Sequence, residues 1–394
     1  GVSLQPRLKP LQGGELQLLF LQQDDARRLW FLLVLPWWRF LMRRITAPER
    51  PGWRQTFEEL GFSFHSMEGG YWSEGVCYQF DAAQIDLLEE ASEELHAMCL
   101  QAVAYVVERD LFARIGLGEQ AAALARSSWE QQELSLYGRF DLVYDGHGDP
   151  KLLEYNADTP TALYEASIAQ WVWLEELYPD CDQFNSIHEK LLDAFAALKQ
   201  RKPLAAPLHF TCVKEHEEDR VTVDYLRDVA MQTGIDTRFV HIEDIGYNPE
   251  AARFVDLDDL PIQWLFKLYP WEWLLEDAFA PYLRQENITL IEPAWKMILS
   301  TKGILPILWE LFPGHKNLLP SFFEPAPLGD RYVKKPMFAR EGANVELVDG
   351  GARIAATEGS YGREGFIYQT LQPLPQFSGR YPVIGSWIVN GLAA

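Results

Sequence analysis

With 394 residues, 48% of them hydrophobic, and 14 tryptophans, the chain can form two or three domains with apolar cores, which excludes a disordered protein. A formal net charge of −22 argues against nucleic acid or an anionic membrane as partner. The four cysteines are scattered without a CxxC pair, which predicts reduced thiols and a cytoplasmic protein.

The segment before residue 43 differs from the rest of the chain. Its apolar run, residues 30–42, is interrupted by Pro36 and Arg39 and falls short of the about 20 apolar residues that a membrane-spanning helix needs. No small-residue cleavage site follows, so the run does not have the pattern of a secretory signal. We expect the natural chain to begin at Met42 and residues 1–41 to be an upstream extension or an artefact of gene prediction.

Residues 43–130 have the pattern of a mainly helical region. Asp81 followed by Gln84 predicts a capping box at the start of a helix. The aromatic residues of RPGW (50–53) and YWSE (71–74) are expected to pack in the core. Apolar residues after the capping box recur at helical spacing, at Leu87, Leu88, Leu95, Met98, Ala102 and Val106.

Residues 135–165 predict a β-hairpin, because two alternating apolar runs flank a cluster of Gly, Asp and Pro. We centre its turn on His147–Gly148. Residues the same number of positions before and after this centre are then expected to pair. The first face then pairs Asp141 with Glu154 and Arg139 with Asn156. The second face, towards the core, pairs Phe140 with Tyr155 and Leu142 with Leu153.

The polar face of this hairpin places two carboxylates opposite each other. Such a pair, here Asp141 and Glu154, is unfavourable by roughly 0.2–1 kcal/mol. Either Arg139 or a bound Mg²⁺, which prefers hard oxygen ligands, can offset that repulsion. The alternative is a solvated hairpin face with a surface Arg–Glu pair.

A helix is predicted directly after the hairpin. Thr159 as N-cap and Pro160 at the first helical position would start it, and apolar residues continue to about residue 177. A helix N-terminus beside carboxylates and an arginine is suited to bind an anion together with a metal.

From residue 205 the pattern changes to a β-α-β unit. Strands at 208–213 and 237–241 flank a helix at 221–231, with Gly234 as the stop signal. This order predicts parallel pairing with a right-handed crossover. The charged run KEHEEDR (214–220) lies at the carboxyl end of the first strand, where ligands of open α/β sheets bind. Alternatively, it is a solvated helix start.

Residues 301–375 contain the candidate nucleotide site. They lack a GxxxxGK[ST] motif, which excludes a P-loop enzyme. Two lysines lie in separate blocks, Lys302 in TKGILPILW and Lys335 in YVKKPMFAREGANVEL. The loop at 339–344, which contains Gly342, has backbone N–H groups that could cover phosphates. A surface hairpin would have the same pattern.

The motifs GRFD (138–141) and EYNAD (154–158) resemble the synthetase domain of the glutathionylspermidine synthase family. The similarity extends from about Arg43 to the end of the chain and includes further blocks in the same order, such as QWLFKLYPWEW (263–273). Members of this family are ATP-grasp ligases that join a carboxylate to an amine. The resemblance implies an α+β fold, with an ATP-grasp core, a smaller α/β pre-ATP-grasp unit and an N-terminal helical region.

The resemblance also implies domain limits. Residues 1–42 are an extension outside the family match, and residues 43–204 hold the helical region and the metal-site hairpin. The α/β pre-ATP-grasp unit covers 205–300, and the ATP-grasp nucleotide-binding region covers 301–394. The family continues past the last residue here with a glycine-rich strand and an arginine that contacts the γ-phosphate, so we expect a C-terminal truncation.

Site residues follow from the same resemblance. The expected Mg²⁺ ligands are Asp141, Glu154 and Asn156. The residue that faces the reacting acyl group is Arg139. The expected ATP contacts are Lys302, Lys335, Gly342 and Gln369. A glutathione-like peptide acid and a polyamine-like amine are expected to contact Thr159, Thr161, Glu217 and Glu218, of which the last two match an acidic pair that binds the amine.

One position departs from the family pattern. Leu268 follows Lys267 where the family has a threonine that contacts the peptide substrate, so the identity of the acid stays open.

Three functions are compatible with these patterns. The first is a carboxylate–amine ligase that acts through an acyl phosphate. The second is an ATP-binding pseudoenzyme or binding protein that retains the fold without turnover, which Leu268 and the missing tail favour. The third, a hydrolase with Asp141 and Glu154 as an acid–base pair, gives Lys302 and Lys335 no role.

Overall fold

Helices and strands are interspersed along the chain in the computed structural model, which confirms the predicted α+β class. The structure describes residues 42–201, 206–283, 288–340 and 342–394. The expectations for residues 1–41 lie outside this range. Among the described helices, none is both long and apolar enough to cross a membrane.

The helices range from single turns to 28 residues. The α-helices are α1 (Trp53–Glu59), α2 (Ala82–Arg109), α3 (Glu119–Glu130), α4 (Gln170–Leu177), α5 (Ile187–Arg201), α6 (Glu217–Gln232), α7 (Trp271–Leu274), α8 (Met297–Ser300) and α9 (Ile304–Leu311). Short 3-10 helices lie at Ser63–Gly69, Phe112–Ile115, Ile242–Asp244, Ala280–Tyr282, Ala294–Lys296 and Ala326–Leu328. A π-helical turn, Glu165–Ala169, leads into α4.

The strands are mostly short. They are β1 (Arg43–Thr46), β2 (Val76–Gln79), β3 (Tyr137–Val143), β4 (Lys151–Asn156), β5 (Leu208–Cys212), β6 (Thr237–Phe239), β7 (Gly246–Asn248), β8 (Arg253–Val255), β9 (Trp264–Leu268), β10 (Thr289–Ile291), β11 (Ser321–Phe322), β12 (Tyr332–Pro336), β13 (Glu346–Asp349), β14 (Ala352–Ala356), β15 (Phe366–Thr370), β16 (Ile384–Val389) and β17 (Leu392–Ala393).

Three larger sheets organise these strands. One is parallel, with the order β10-β9-β5-β6, and it contains the predicted β-α-β unit. The other two are antiparallel, with the orders β17-β16-β3-β4 and β11-β15-β12-β13-β14. The first of these antiparallel sheets holds the hairpin, and the second holds Lys335 and Gln369.

Helix α2 begins as its sequence predicts. The Asp81 carboxylate accepts a hydrogen bond from Gln84 N–H at 2.8 Å, and the Gln84 side chain accepts one from Asp81 N–H at 2.9 Å. These bonds satisfy backbone donors that a helix start leaves unpaired. Most of its predicted apolar positions are buried, namely Leu88, Leu95, Met98, Ala102 and Val106.

The hairpin sheet lies between two apolar clusters. Phe140 and Leu142 on one face of β3 belong to the cluster that includes α2. Tyr137 on the other face belongs to a second cluster with Trp387 and residues of the parallel sheet. Because side chains alternate along a strand, the polar residues of β3 lie on the same face as Tyr137. The site is therefore built on a strand anchored from both sides.

The predicted hairpin register is confirmed for three of its four pairs. Asp141 is opposite Glu154, Arg139 is opposite Asn156, and Phe140 is opposite Tyr155. The fourth pair is wrong, because Leu142 is opposite Leu152 instead of Leu153. A bulge shifts the register between Asp141 and Leu142 and leaves Leu153 as the extra residue, an irregularity common beside active sites.

The predicted helix start at Thr159 and Pro160 is also wrong. Helical backbone begins at Leu163, after Ala162 with a left-handed φ of 66°. The Thr159 hydroxyl accepts a hydrogen bond from Arg340 instead of capping a helix. Arg139 donates to the Thr161 carbonyl, so two arginines hold residues 159–161 in a non-helical loop.

Candidate active site

The first pair of the site joins two residues of β3. Arg139 Nε and Nη2 donate to the two oxygens of Asp141 at 2.8 and 3.3 Å, and Arg139 Nη1 donates to the Thr161 carbonyl at 2.7 Å. Burial raises the pKa of the Asp141 carboxyl, the Arg139 guanidinium opposes that rise, and Glu154 adds to it. The side chains of Arg139 and Asp141 are both partly buried, so solvent screens their pairing only incompletely.

The second pair joins the hairpin to the chain before α9. Lys302 Nζ lies 3.1 Å from a Glu154 oxygen and donates to the Ala339 carbonyl at 3.0 Å. Burial alone would raise the pKa of Glu154, but the ammonium groups of Lys302 and Lys335 outweigh it and hold that pKa below its usual value. Each hairpin carboxylate thus faces a cation of its own.

Lys335 contacts the same strand from the neighbouring sheet. Its Nζ donates to Gln369 Oε1 at 2.7 Å and to the Leu153 carbonyl at 3.1 Å. Burial lowers the pKa of Lys335 to about 8, against the attraction of Glu154. Within the described residues, no carboxylate oxygen lies within ion-pair distance of Lys335 Nζ. The direct hydrogen-bond partners of Lys335 are therefore neutral, and the carboxylates of Glu154 and Asp141 act on its charge only at longer range.

The bulge at Leu153 brings these parts together. The Leu153 carbonyl accepts from Lys335, and Gln369 Nε2 donates to the carbonyl of Leu152 at 3.3 Å. Gln369 itself is buried. Backbone carbonyls of β4 thus accept hydrogen bonds from side chains of β12 and β15, and the Glu154 side chain on the same strand pairs with Lys302. The predicted ATP residues Lys302, Lys335 and Gln369 converge on one strand.

The predicted metal ligands also lie together. Asp141 and Glu154 are cross-strand partners, and Asn156 follows Glu154 on the same face of β4. No group of three or more His, Cys, Asp or Glu suited to a metal occurs in the described ranges, and this set has only two carboxylates. The Asn156 amide is buried beside Asp141, and it lowers the pKa of that carboxyl, although burial keeps the pKa raised. The Mg²⁺ site stays a prediction.

The loop with the predicted phosphate-covering glycine reaches the other side of the site. Arg340 donates to the Thr159 hydroxyl at 2.8 Å and to Glu272 at 3.1 Å. Gly342 has a φ of 66° with open space beside it. The Thr161 carbonyl accepts a hydrogen bond from Arg139. The two predicted substrate threonines are therefore each held by an arginine of the site.

The predicted amine-binding pair lies in the first turn of α6. Glu217 accepts a hydrogen bond from the Ser63 hydroxyl. Burial, with a smaller contribution from Glu218, raises the pKa of the neighbouring Asp219 to about 6. Glu218 also acts on the pKa of Glu165. Carboxylates from two separate segments thus form one negatively charged region.

Sequence reasoning missed Glu165 and Tyr71. The Tyr71 hydroxyl donates to Glu165 Oε1, and the Glu165 side chain is buried. Both residues belonged to stretches that were recognised, YWSE and the end of the hairpin segment, but their aromatic neighbours indicated core packing. The clue available was the position of Glu165, a charged residue at the start of an apolar helical run.

Sequence reasoning also missed a buried ion pair next to the site. Lys267 Nζ lies 2.7 Å from Asp158 Oδ1, and Asp158 Oδ2 accepts from Trp271 N–H at 2.8 Å. The side chains of Lys267 and Asp158 are almost completely buried. Leu268, the residue that departs from the family pattern, is buried among apolar residues.

Comparison with known proteins identifies the family. A family model described as glutathionylspermidine synthase pre-ATP-grasp matches residues 44–394. A protein of Haemophilus influenzae, provisionally named an acid–amine ligase, is 43% identical over 89% of this chain and 93% of its own length. Trypanothione synthetase of Crithidia fasciculata is 28% identical over 75% of this chain, and the bifunctional glutathionylspermidine synthetase/amidase of Escherichia coli is 27% identical over 79%.

The chain spans only 50% and 54% of the length of these last two relatives. The family match nevertheless covers nearly all of the described residues and begins one residue after the start expected from the motifs. The chain therefore belongs to the glutathionylspermidine synthase family of amide-forming ligases.

Proposed function

We propose that the protein is an ATP-dependent acid–amine ligase that forms its amide bond through an acyl phosphate. The observation that carries this proposal is the convergence of Lys302 and Lys335, from different elements, on the strand that bears Glu154. A buried ammonium whose direct hydrogen-bond partners are neutral is unfavourable, and phosphate oxygens would place negative charge in contact with it. Membership of a synthetase family supports ATP as their source.

The reaction begins when the carboxylate of the acid attacks the γ-phosphorus of ATP and releases ADP. Lys302 and Lys335 hold the phosphates in line for this transfer, which depends on positioning and charge stabilisation. Arg139 stabilises the negative charge that develops on the acyl oxygen. The amine then displaces phosphate from the acyl phosphate.

Asp141, Glu154 and Asn156 would hold Mg²⁺. Their two carboxylates and an amide are the hard oxygen donors that this ion prefers, and they share one face of the hairpin. When bound, the ion neutralises part of the negative charge of the phosphates. An ion bound there would compete with Lys302, whose Nζ lies 3.1 Å from one oxygen of the Glu154 carboxylate.

The names of the relatives support a glutathione-like acid and a polyamine-like amine. Glu217 and Glu218 suit the amine, because a polyamine carries several positive charges that carboxylates can pair. Thr159 and Thr161, held by Arg340 and Arg139, are proposed to line the acid side.

The test is a screen of acid–amine pairs for ADP release by the full-length protein with ATP and Mg²⁺, with glutathione and spermidine as the first pair. Lys335→Met keeps the aliphatic stem and removes the buried charge. We expect pair-dependent ADP release from the wild type and none from a folded Lys335→Met variant. ATP binding without ADP release for any pair would instead support the pseudoenzyme.

A further inference from the structure

Glu165 has a buried carboxylate oxygen that no described residue satisfies. The side chain is 6% exposed, its Oε1 accepts the Tyr71 hydroxyl, and its Oε2 has no hydrogen-bond partner in the described ranges. A buried charged oxygen without a partner is strongly unfavourable, so natural proteins rarely leave one without a reason. A donor that arrives with a ligand would satisfy it.

The position of Glu165 supports a functional role. It is the first residue of the π-helical turn Glu165–Ala169, and such turns occur frequently at functional sites. It follows shortly after Thr161, whose carbonyl holds Arg139. Its charge is coupled to both Glu218 and Arg139, which connects it to the amine side and to the acyl side of the site.

The proposed ligase reaction needs a group that accepts a proton here. An alkylamine is an ammonium ion at neutral pH and has no lone pair with which to attack an acyl phosphate. Most other carboxylates of the site already have partners: Asp141 faces Arg139, Glu154 faces Lys302, and Glu217 accepts from Ser63. Among the buried carboxylate oxygens in the described part of the site, Glu165 Oε2 is the one that lacks a hydrogen-bond donor.

The acidity of Glu165 fits this task. Burial raises its pKa, and the hydrogen bond from Tyr71 opposes that rise. A base works best when its pKa lies closer to the working pH than that of an ordinary, solvent-exposed glutamate. Glu218 raises the pKa of Glu165 further and Arg139 lowers it.

We propose that Glu165 is the general base that deprotonates the amine substrate, an inference that rests on the proposed ligase function. Glu165 Oε2 takes one proton from the ammonium group, which frees the nitrogen lone pair. That pair forms the C–N bond with the acyl carbon, and the C–O bond to phosphate breaks. Phosphate leaves with the bonding electrons and takes the second proton from nitrogen, and Glu165 returns its own proton to water.

The experiment compares two amines with the full-length protein, ATP, Mg²⁺ and glutathione. Spermidine must lose a proton before it attacks, whereas hydroxylamine is already unprotonated at neutral pH and traps an acyl phosphate as a hydroxamate. In Glu165→Gln, we expect amide formation with spermidine to fall by about 10²–10⁴-fold and hydroxamate formation to be retained. Glu175→Gln, at an exposed glutamate of α4, is the matched control and should change neither product.

Tyr71→Phe provides a second test that does not depend on the Glu165→Gln variant folding. The lost hydrogen bond had favoured ionised Glu165, so the pKa of Glu165 rises. The groups that act on this carboxyl from neighbouring elements are Tyr71, Glu218 and Arg139, and the last two are unchanged. The rise of kcat/KM for spermidine with pH should therefore shift to higher pH, with hydroxamate formation unaffected.

The outcomes separate the two proposals. If Glu165→Gln keeps amide formation with spermidine, or loses hydroxamate formation as well, or if Tyr71→Phe leaves the pH profile unchanged, Glu165 is not the base. If the wild type forms no hydroxamate with glutathione or with any acid of the screen, no acyl phosphate is made. The ligase proposal then fails, and the base assignment fails with it.

Discussion

Each of the two hairpin carboxylates in the site is paired with its own cation. Arg139 holds Asp141 through two hydrogen bonds, and Lys302 lies beside Glu154, so the two facing carboxylates are compensated separately. Lys335 is different, because its partners are an amide oxygen and a backbone carbonyl. Burial therefore lowers its pKa, whereas the same burial is outweighed at Glu154 by nearby cations.

Asp141→Asn should weaken Mg²⁺-dependent ATP binding by at least about tenfold, because it removes one proposed ligand. The free protein should keep or gain stability. The pKa of Asp141 is raised in the folded state, so its stabilising contribution is present only at acidic pH and is lost as pH rises through the folded pKa. Calorimetric titration and melting temperature without ligand measure the two effects.

Asp149→Asn is the matched control for this substitution, at an exposed aspartate of the same hairpin. It should change neither nucleotide affinity nor stability. Unchanged affinity in Asp141→Asn would exclude a metal-binding role for Asp141.

At the scale of elements, the sequence predicted correctly those features that depend on residues close together in the chain. The capping box of α2 and most of the hairpin register follow from neighbouring residues and from the period of two along a strand. The bulge at Leu153 could not be predicted, because its carbonyl bonds to Lys335, 182 positions further along the chain. The helix start at Thr159 failed for a similar reason, since Arg340 takes the hydroxyl that would have capped it.

The motif glycine Gly138 is required by packing within the hairpin sheet. A Cβ added there would lie 2.8 Å from Tyr155 Cε2 and 2.9 Å from its hydroxyl oxygen, closer than real contacts allow. Gly138→Ala should therefore destabilise the protein by about 1–3 kcal/mol, because the buried ring of Tyr155 must shift. Denaturant unfolding measures this change.

Gly118→Ala is the control. Gly118 does not have a positive φ, and a Cβ added there would meet open space. Its stability should stay near that of the wild type. Equal stabilities of the two variants would show that the Tyr155 ring is free to move.

At the scale of the molecule, the site forms where all three larger sheets meet. The hairpin sheet supplies Asp141 and Glu154, and the sheet that contains β12 supplies Lys335. The parallel sheet contributes Lys267, whose ion pair with Asp158 fixes the chain just after β4. Lys267 and Asp158 lie 109 positions apart, so the sequence alone could name their motifs but could not pair them.

Lys267→Met should destabilise the protein by about 3–5 kcal/mol, because it leaves the buried carboxylate of Asp158 without its cation. Adding Asp158→Asn should recover part of this loss, since the uncompensated charge is then removed. Lys214→Met, at an exposed lysine paired with Asp244, should change stability little. Thermal unfolding of the wild type, the two single variants and the double variant measures these stabilities. If the double variant is no more stable than Lys267→Met, burial of an unpaired charge is not the cause of the loss.

The contact between Lys302 and Glu154 has a consequence for the order in which ligands bind. In the proposed roles, Mg²⁺ alone must compete with an ammonium group for this carboxylate, whereas a nucleotide attracts the ammonium to its phosphates and releases the carboxylate. Each ligand would therefore increase the affinity for the other, and thermodynamic linkage requires the factor to be equal in both directions. In these proposed roles, the lysine that binds the nucleotide would limit premature binding of the metal ion, and the free protein would discriminate against bare divalent ions.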